Sequence, residues 1–174
     1  MILFETERLI IRKGDLTDFE DFLTIRNSAP FLKYNPMPPV TKDEGLDEFK
    51  QLIKEGTMNV ISLKERAMIG MIDSYPDALR YNVNSEMISY NMNEQYAGKG
   101  YMQEALRGMI DHLFRREGKA VISVRVFKGN DISKHLLEKA GFTHEGTLRH
   151  CVRGNGDIIH DDWIFSLMKE EYNQ

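Results

Sequence analysis

Cysteine is almost missing from this chain of 174 residues, and the single one, Cys151, excludes an internal disulfide. Long apolar runs are missing as well: none approaches the ~20 residues that cross a bilayer. No signal-peptide core precedes the charges at Glu5, Glu7 and Arg8, so a cytoplasmic chain with no membrane contact is expected. A basic surplus is absent. Lys and Arg number 23 against 27 Asp and Glu, for a formal charge of −4. That balance argues against a nucleic-acid partner, which calls for a basic face, and is compatible with a cationic or amine substrate. The histidines, His112, His135, His144, His150 and His160, show no zinc spacing, so no metal is expected. Cys151 and His150 are neighbours in a strand-like run and would point to opposite faces, which argues against a thiol–imidazole dyad. Repeats, linkers and low-complexity tracts are also lacking, and the length suits one domain over residues 1–174.

What is present is a succession of strand and helix patterns. Leu9, Ile10 and Ile11, bounded by charges, read as a first strand ending near Lys13 and Gly14. Thr17 can cap a helix whose Asp18, Glu20 and Asp21 suit the positive end of the dipole and whose Phe19, Phe22, Leu23 and Arg26 share a face. The prolines of residues 35–39 impose a loop. Thr41 and Glu44 form a capping box for a second helix with an apolar stripe of Leu46, Phe49 and Ile53, ended by Gly56. Residues 58–63 and 68–73 read as strands joined by a turn at 64–66, and residues 74–84 as a loop.

Residues 86–92 and 120–127 read as strands on either side of a long helix that opens at Gly100. Met102, Ala105, Leu106, Met109, Ile110, Leu113 and Phe114 form its apolar face, and Gln103, Glu104, Arg107, Asp111 and Arg115 its solvated one. This β-α-β unit makes the two strands parallel or splayed neighbours. Asn130 or Asp131 can cap a short helix carrying Ile132, Leu136, Leu137 and Ala140, stopped by Gly141. Residues 150–153 and 162–168 read as a hairpin around 154–157. The expected class is α+β, with about seven strands and about four helices.

The stretch between strand and long helix carries the chemistry. Gln95, Gly98 and Gly100 form Q-x-x-G-x-G, a loop able to aim several backbone N–H groups at one point beside a helix N-terminus, which suits a phosphate-bearing ligand. The dinucleotide fingerprint fails, since one of its three glycines is missing and no strand ending in an acid follows. A Walker loop fails because Gly100 is followed by Tyr101.

This loop resembles that of the GCN5-related N-acetyltransferases (GNAT), which reads Gln or Arg, two residues, Gly, one residue, then Gly or Ala. A closer resemblance, to the ribosomal-protein N-terminal acetyltransferases of the RimJ/RimL type, is carried by four landmarks. They are the run from Glu5 to Arg12, Gly98-Lys99-Gly100-Tyr101, Asn130 with Ser133, and the run from Leu137 to Phe142. The resemblance implies a mixed, mostly antiparallel sheet with a splayed parallel pair around the cofactor. It implies acetyl-coenzyme A as cosubstrate, with its pyrophosphate at Gln95, Tyr96, Ala97, Gly98, Lys99, Gly100, Tyr101 and Met102. The pantetheine arm would lie along Ser89, Tyr90 and Asn91, and Asn130 and Ser133 would be near the thiol. The implied acceptor is a primary amine: a peptide N-terminus, a polyamine or another small amine. A homodimer is compatible with this.

Acetyl transfer to an amine also needs a polarised carbonyl, a base and a proton for the leaving thiolate. By resemblance, a backbone N–H near Tyr90 or Asn91 polarises the carbonyl. Many relatives protonate the thiolate with a tyrosine five residues before the Gly-Phe phenylalanine, but that position is Leu137. The N-terminal acetyltransferase branch places a serine near the sulfur, which here is Ser133. Asn130 and Ser133 also read as ordinary first-turn helix residues. For the base, Glu86 comes first, with Asp73 and Asp162 behind it. Each also reads as a solvated strand-end acid, and an ordered water is a further option. The acid that the branch uses after the Gly-Phe pair falls near Val152, a departure that bears on both base and substrate. Trp163 and Tyr172 are expected to pack, and Met37 can line a substrate pocket. Residues 31–39 and 75–84 would set the acceptor. Two other readings stay open: a non-catalytic acyl-coenzyme A binding or regulatory domain, and a purely structural protein.

Overall fold

The computed structural model describes residues 1–64 and 67–172. Most of the turn expected at 64–66 therefore lies outside the described residues. The chain forms two compact units, each discontinuous in sequence. The first is Met1–Lys33, Pro38–Asp73 and Tyr90–Gly108; the second is Tyr34–Met37, Ser74–Ser89 and Met109–Gln174. Eight strands run as β1 (Ile2–Glu5), β2 (Leu9–Lys13), β3 (Asn59–Leu63), β4 (Met68–Pro76), β5 (Ser85–Met92), β6 (Val121–Phe127), β7 (Thr143–Arg153) and β8 (Ile159–Met168). Their hydrogen-bonded order is β1-β2-β3-β4-β5-β6-β8-β7, and β4 and β5 pass through both units. The sheet is mostly antiparallel with one parallel pair, as the resemblance implied.

In the first unit, β2 alternates buried Leu9 and Ile11 with the half-buried Ile10 and Arg12, and pairs with β3 in the register Ile11↔Ile61. Two helices cover the β3 and β4 side chains: α1 (Phe19–Arg26) and, after α2 (Ala29–Tyr34), α3 (Lys42–Glu55). Phe22 and Phe49 meet with ring centroids 4.8 Å apart, and Phe19 lies 5.7 Å from Phe49. Full burial of such a ring stabilises by about 1.5–3 kcal/mol. Met58, Val60, Met68 and Met71 complete this core. The capping box of α3 forms as expected, with Thr41 Oγ1 accepting from Glu44 N while Glu44 accepts from Thr41 N; Gly56, at φ +66°, closes the helix.

The cap expected at Thr17 is corrected. Asp15 accepts from Thr17 N and Asp18 from Asp15 N, forming the box around a 3-10 turn (Leu16–Asp18) that precedes α1. Strand β1 and helix α2 were not expected. The first is only four residues long, and the second begins at Ala29-Pro30, where proline fits a first helical turn.

In the second unit, β5 and β6 run parallel over Ser85–Met87 and Val121–Ser123. Beyond that stretch β6 continues to Phe127 in register with β8. The parallel pairing is the one expected of this β-α-β unit. The long helix α4 (Tyr101–Asp111), which belongs to the first unit as far as Gly108, does not continue regularly through Arg115. A five-residue π turn (His112–Arg116) follows it, and Leu113 and Phe114 are buried within it. Helix α5 (Asp131–Lys139) is capped by Asn130, which accepts from Ser133 N at 3.3 Å, and Gly141 turns the chain at φ +96°. Ile132, expected on its apolar face, is 81% exposed. The inward face is Ser133, Leu137 and Ala140, one helical turn apart, with Leu137 fully buried.

The closing hairpin is longer than expected, 11 and 10 residues, because the mostly exposed residues of β7 carry no apolar alternation to announce a strand. A short helix α6 (Lys169–Tyr172), also unexpected, ends the described chain, and Tyr172 packs on Phe114 at 5.5 Å. No helix among the described residues is long and apolar enough to cross a membrane.

Candidate active site

The glycine loop belongs to the first unit. Asn93, held by a bond from its N–H to Ile69 O at the end of β5, caps a 3-10 turn (Glu94–Tyr96) by accepting from Gln95 N at 3.0 Å. Gly98 and Gly100 then both take positive φ, +74° and +79°, a conformation that side-chain-bearing residues adopt only at a cost. Helix α4 starts here, with its first bond from Glu104 N–H to Gly100 O at 3.1 Å. The amides of Tyr101, Met102 and Gln103 therefore precede any intrahelical acceptor. Nothing lies within 4 Å of where a Cβ at Gly98 would stand, and Gln95, Ala97, Gly98, Lys99 and Gly100 are exposed. The result is an open cradle of backbone donors at the positive end of an 11-residue helix, suited to a diphosphate. Tyr96 and Tyr101 flank it, ring centroids 6.5 Å apart, with Lys99 Nζ 5.3 Å from the Tyr96 ring.

Tyr90 and Asn91 lie on the half-buried last stretch of β5 in the same unit. Sequence reasoning passed over Gly70 on β4, opposite them. A Cβ there would be 2.6 Å from Asn91 O, so β5 approaches β4 this closely only because residue 70 is glycine. The signal was available as a glycine inside a strand pattern.

The second unit holds Ser89, Glu86, Asn130 and Ser133. Ser133 is half-buried, its N–H is taken by Asn130, and its hydroxyl makes no hydrogen bond among the described residues. The three carboxylates considered as bases differ sharply, and none is a solvated strand-end acid. Glu86 is buried and paired with Lys119 Nζ at 2.6 Å. Asp162 is buried and paired with Arg125, at 2.7 Å from Nη2 and 2.9 Å from Nε. Asp73, in the first unit, forms no ion pair among the described residues. Burial pushes its carboxyl up to about 6, against the opposing effects of a 2.6 Å bond from Asn59 N and the charge of Lys13. Val152 and Leu137 offer no acid or hydroxyl. Met37 is partly exposed, and its carbonyl accepts from Asn155 Nδ2 at 3.0 Å. Trp163 packs, with His144 against its edge and Lys134 Nζ 5.2 Å from its ring. At His150 the strand alternation assumed for Cys151 breaks, because His150 takes φ +50° beside a bulge.

A family model described as an acetyltransferase (GNAT) domain matches residues 8–143, and the chain belongs to this family. It is therefore an N-acetyltransferase of a class that uses acetyl-coenzyme A as donor. It is 27% identical over 172 residues, 96% of each chain, to the uncharacterized N-acetyltransferase p20 of Bacillus licheniformis. In fold it is similar to Mycobacterium smegmatis RimJ in complex with CoA-disulfide, with a TM-score of 0.80 and 21% identity, covering 95% of this chain and 84% of that one. It is similar as well to the spermidine N-acetyltransferase of Vibrio cholerae in complex with CoA and spermine, with a TM-score of 0.81 and 20% identity, covering 97% and 100%.

Proposed function

We propose that this chain transfers an acetyl group from acetyl-coenzyme A directly to a primary amine, either a peptide N-terminus or a polyamine or other small amine. The observation that carries the reading is the cradle from Gln95 to Met102, with two glycines at positive φ opening α4 in a GNAT domain. An amine acceptor is supported by the spermidine acetyltransferase neighbour and is compatible with the net charge of −4.

In the proposed reaction the loop amides hold the diphosphate, and a β5 amide near Tyr90 or Asn91 polarises the acetyl carbonyl. The amine nitrogen attacks the carbonyl carbon, its surplus proton passes to a carboxylate, the C–S bond breaks, and the departing thiolate, held by a hydrogen bond from the Ser133 hydroxyl, takes up the proton that the carboxylate gives back by way of water. Among the three acids, Asp73 suits the base best, because it alone lacks an ion-pair partner among the described residues and burial raises its carboxyl to about 6. Glu86 would first have to leave Lys119.

The test is release of free coenzyme A against a panel of N-terminal peptides, polyamines and aminoglycosides. Release with at least one acceptor is expected. Binding of acetyl-coenzyme A without release would favour the non-catalytic reading, and no binding a structural role. Gly98→Val probes the cradle itself. Open space surrounds residue 98, so the variant should fold, while its side chain would stand between the amides and the diphosphate. A positive-φ penalty of roughly 1–2 kcal/mol in stability is expected. Calorimetry should show acetyl-coenzyme A affinity reduced about 10-fold or more, the loss of one or two charge-assisted bonds. Unchanged affinity in the folded variant would remove the phosphate assignment.

A further inference from the structure

Glu104, in the first turn of α4, is engaged entirely by the segment that links β1 to β2. Its Oε1 accepts from Thr6 Oγ1 at 2.6 Å and from Arg8 N at 2.8 Å, and its Oε2 from Arg8 Nε at 2.6 Å. The same guanidinium reaches on to the glycine loop. Its Nη1 donates to Lys99 O at 3.1 Å, its carbon lies 4.6 Å from the Tyr101 ring centroid, and its Nη2 is 3.5 Å from where a Cβ on Gly100 would stand. Phe4 of β1 seats on the same helix, since a Cβ at Gly108 would be 2.5 Å from its ring. Partial burial works toward protonating Glu104, but the bonds from Thr6 and Arg8 outweigh it and keep the carboxylate ionised.

A carboxylate in a first turn suits the helix dipole yet repels any anion brought to that end. Arg8 cancels this charge and also ties down the peptide between the two glycines. We propose that Arg8 is the positioning residue of the glycine loop, fixing the Lys99 peptide and neutralising Glu104 so that the amides are set for a donor diphosphate. The proposal rests on the reading of the loop as the diphosphate site. It makes Arg8 selective: it matters for donors that carry phosphate and is indifferent to those that do not.

The experiment compares two thioester donors, acetyl-coenzyme A and S-acetylpantetheine, which keeps the arm and lacks every phosphate. Arg8→Ala should raise KM for acetyl-coenzyme A about 10- to 100-fold, the worth of charge-assisted bonds, with kcat within about twofold. KM for S-acetylpantetheine should not move. Arg8→Lys keeps the charge beside Glu104 but cannot also bond Lys99 O, and should give a smaller shift confined to acetyl-coenzyme A. Adding Glu104→Gln to Arg8→Ala should recover part of the lost affinity by removing the stranded carboxylate. An equal penalty with both donors, or a fall in kcat at unchanged KM, would overturn the positioning role. If the parent itself shows equal KM for the two donors, the diphosphate reading fails, and the proposal with it. Should Arg8→Ala not fold, Arg8→Lys carries the same donor comparison.

Discussion

Asp73→Asn is expected to lower turnover by about 100- to 10,000-fold, the usual worth of a positioned general base. Its affinity for acetyl-coenzyme A should stay near that of the parent. The pH profile is the sharper test. The parent rate should climb through about pH 6, where burial places the Asp73 titration, and level off above it; the asparagine variant should lose that limb.

The raised pKa has a consequence for stability, opposite in sign to that of a salt-bridged acid. The folded chain holds the Asp73 proton more tightly than the unfolded chain, whose value is near 3.8. This contribution is fully present below pH 3.8, is lost as pH rises through about 6, and is flat beyond. At most about 3 kcal/mol is involved, since each tenfold gain in proton affinity is worth about 1.36 kcal/mol. Urea unfolding of the parent and Asp73→Asn between pH 4 and pH 7 would measure it. Equal turnover of the two proteins across this range would rule Asp73 out as the base and leave Glu86, Asp162 or an ordered water.

Ser133→Ala should lower kcat by about 10- to 1,000-fold while barely changing acetyl-coenzyme A affinity, the mark of an interaction made chiefly in the transition state. Two features of α5 favour this. Ser133 shares the inward face with Leu137, and the helix is already capped by Asn130, so removing the hydroxyl leaves the cap in place. Leu137 is fully buried and has no proton to give. Parent-like turnover of Ser133→Ala across the pH range, with acetyl transfer shown to be rate-limiting, would return Ser133 to the ordinary first turn of a helix.

How much could be read from the sequence depended on separation along the chain. The capping box of Thr41 and Glu44, the glycine loop and the Asn130 cap each involve residues within about one helical turn, so spacing alone exposes them. The parallel pair of β5 and β6 followed from the helix between them. Partners far apart did not show. Arg8 and Glu104 are 96 residues apart and Glu86 and Lys119 are 33 apart, and nothing local marks either pair. Glu86 consequently read as a free acid, and Glu104 as part of a solvated helix face. The π turn escaped because the apolar pattern runs on through Leu113 and Phe114 at the 3.6 spacing, so nothing local marks the change in backbone hydrogen bonding.

The position of β7 at the end of the strand order has a consequence for how copies of this chain can meet. A terminal strand of 11 residues is long enough to template a further strand from another molecule. Its register shifts at His144/Gly146 and Leu148/Val152 break the ladder into short pieces. Glu145, Arg149 and Arg153 add charge along it. Sheet extension across this edge would be interrupted every few residues, which works against fibrous stacking through β7. Contacts between copies at this edge would then fall to side chains, where charge and shape can select the partner.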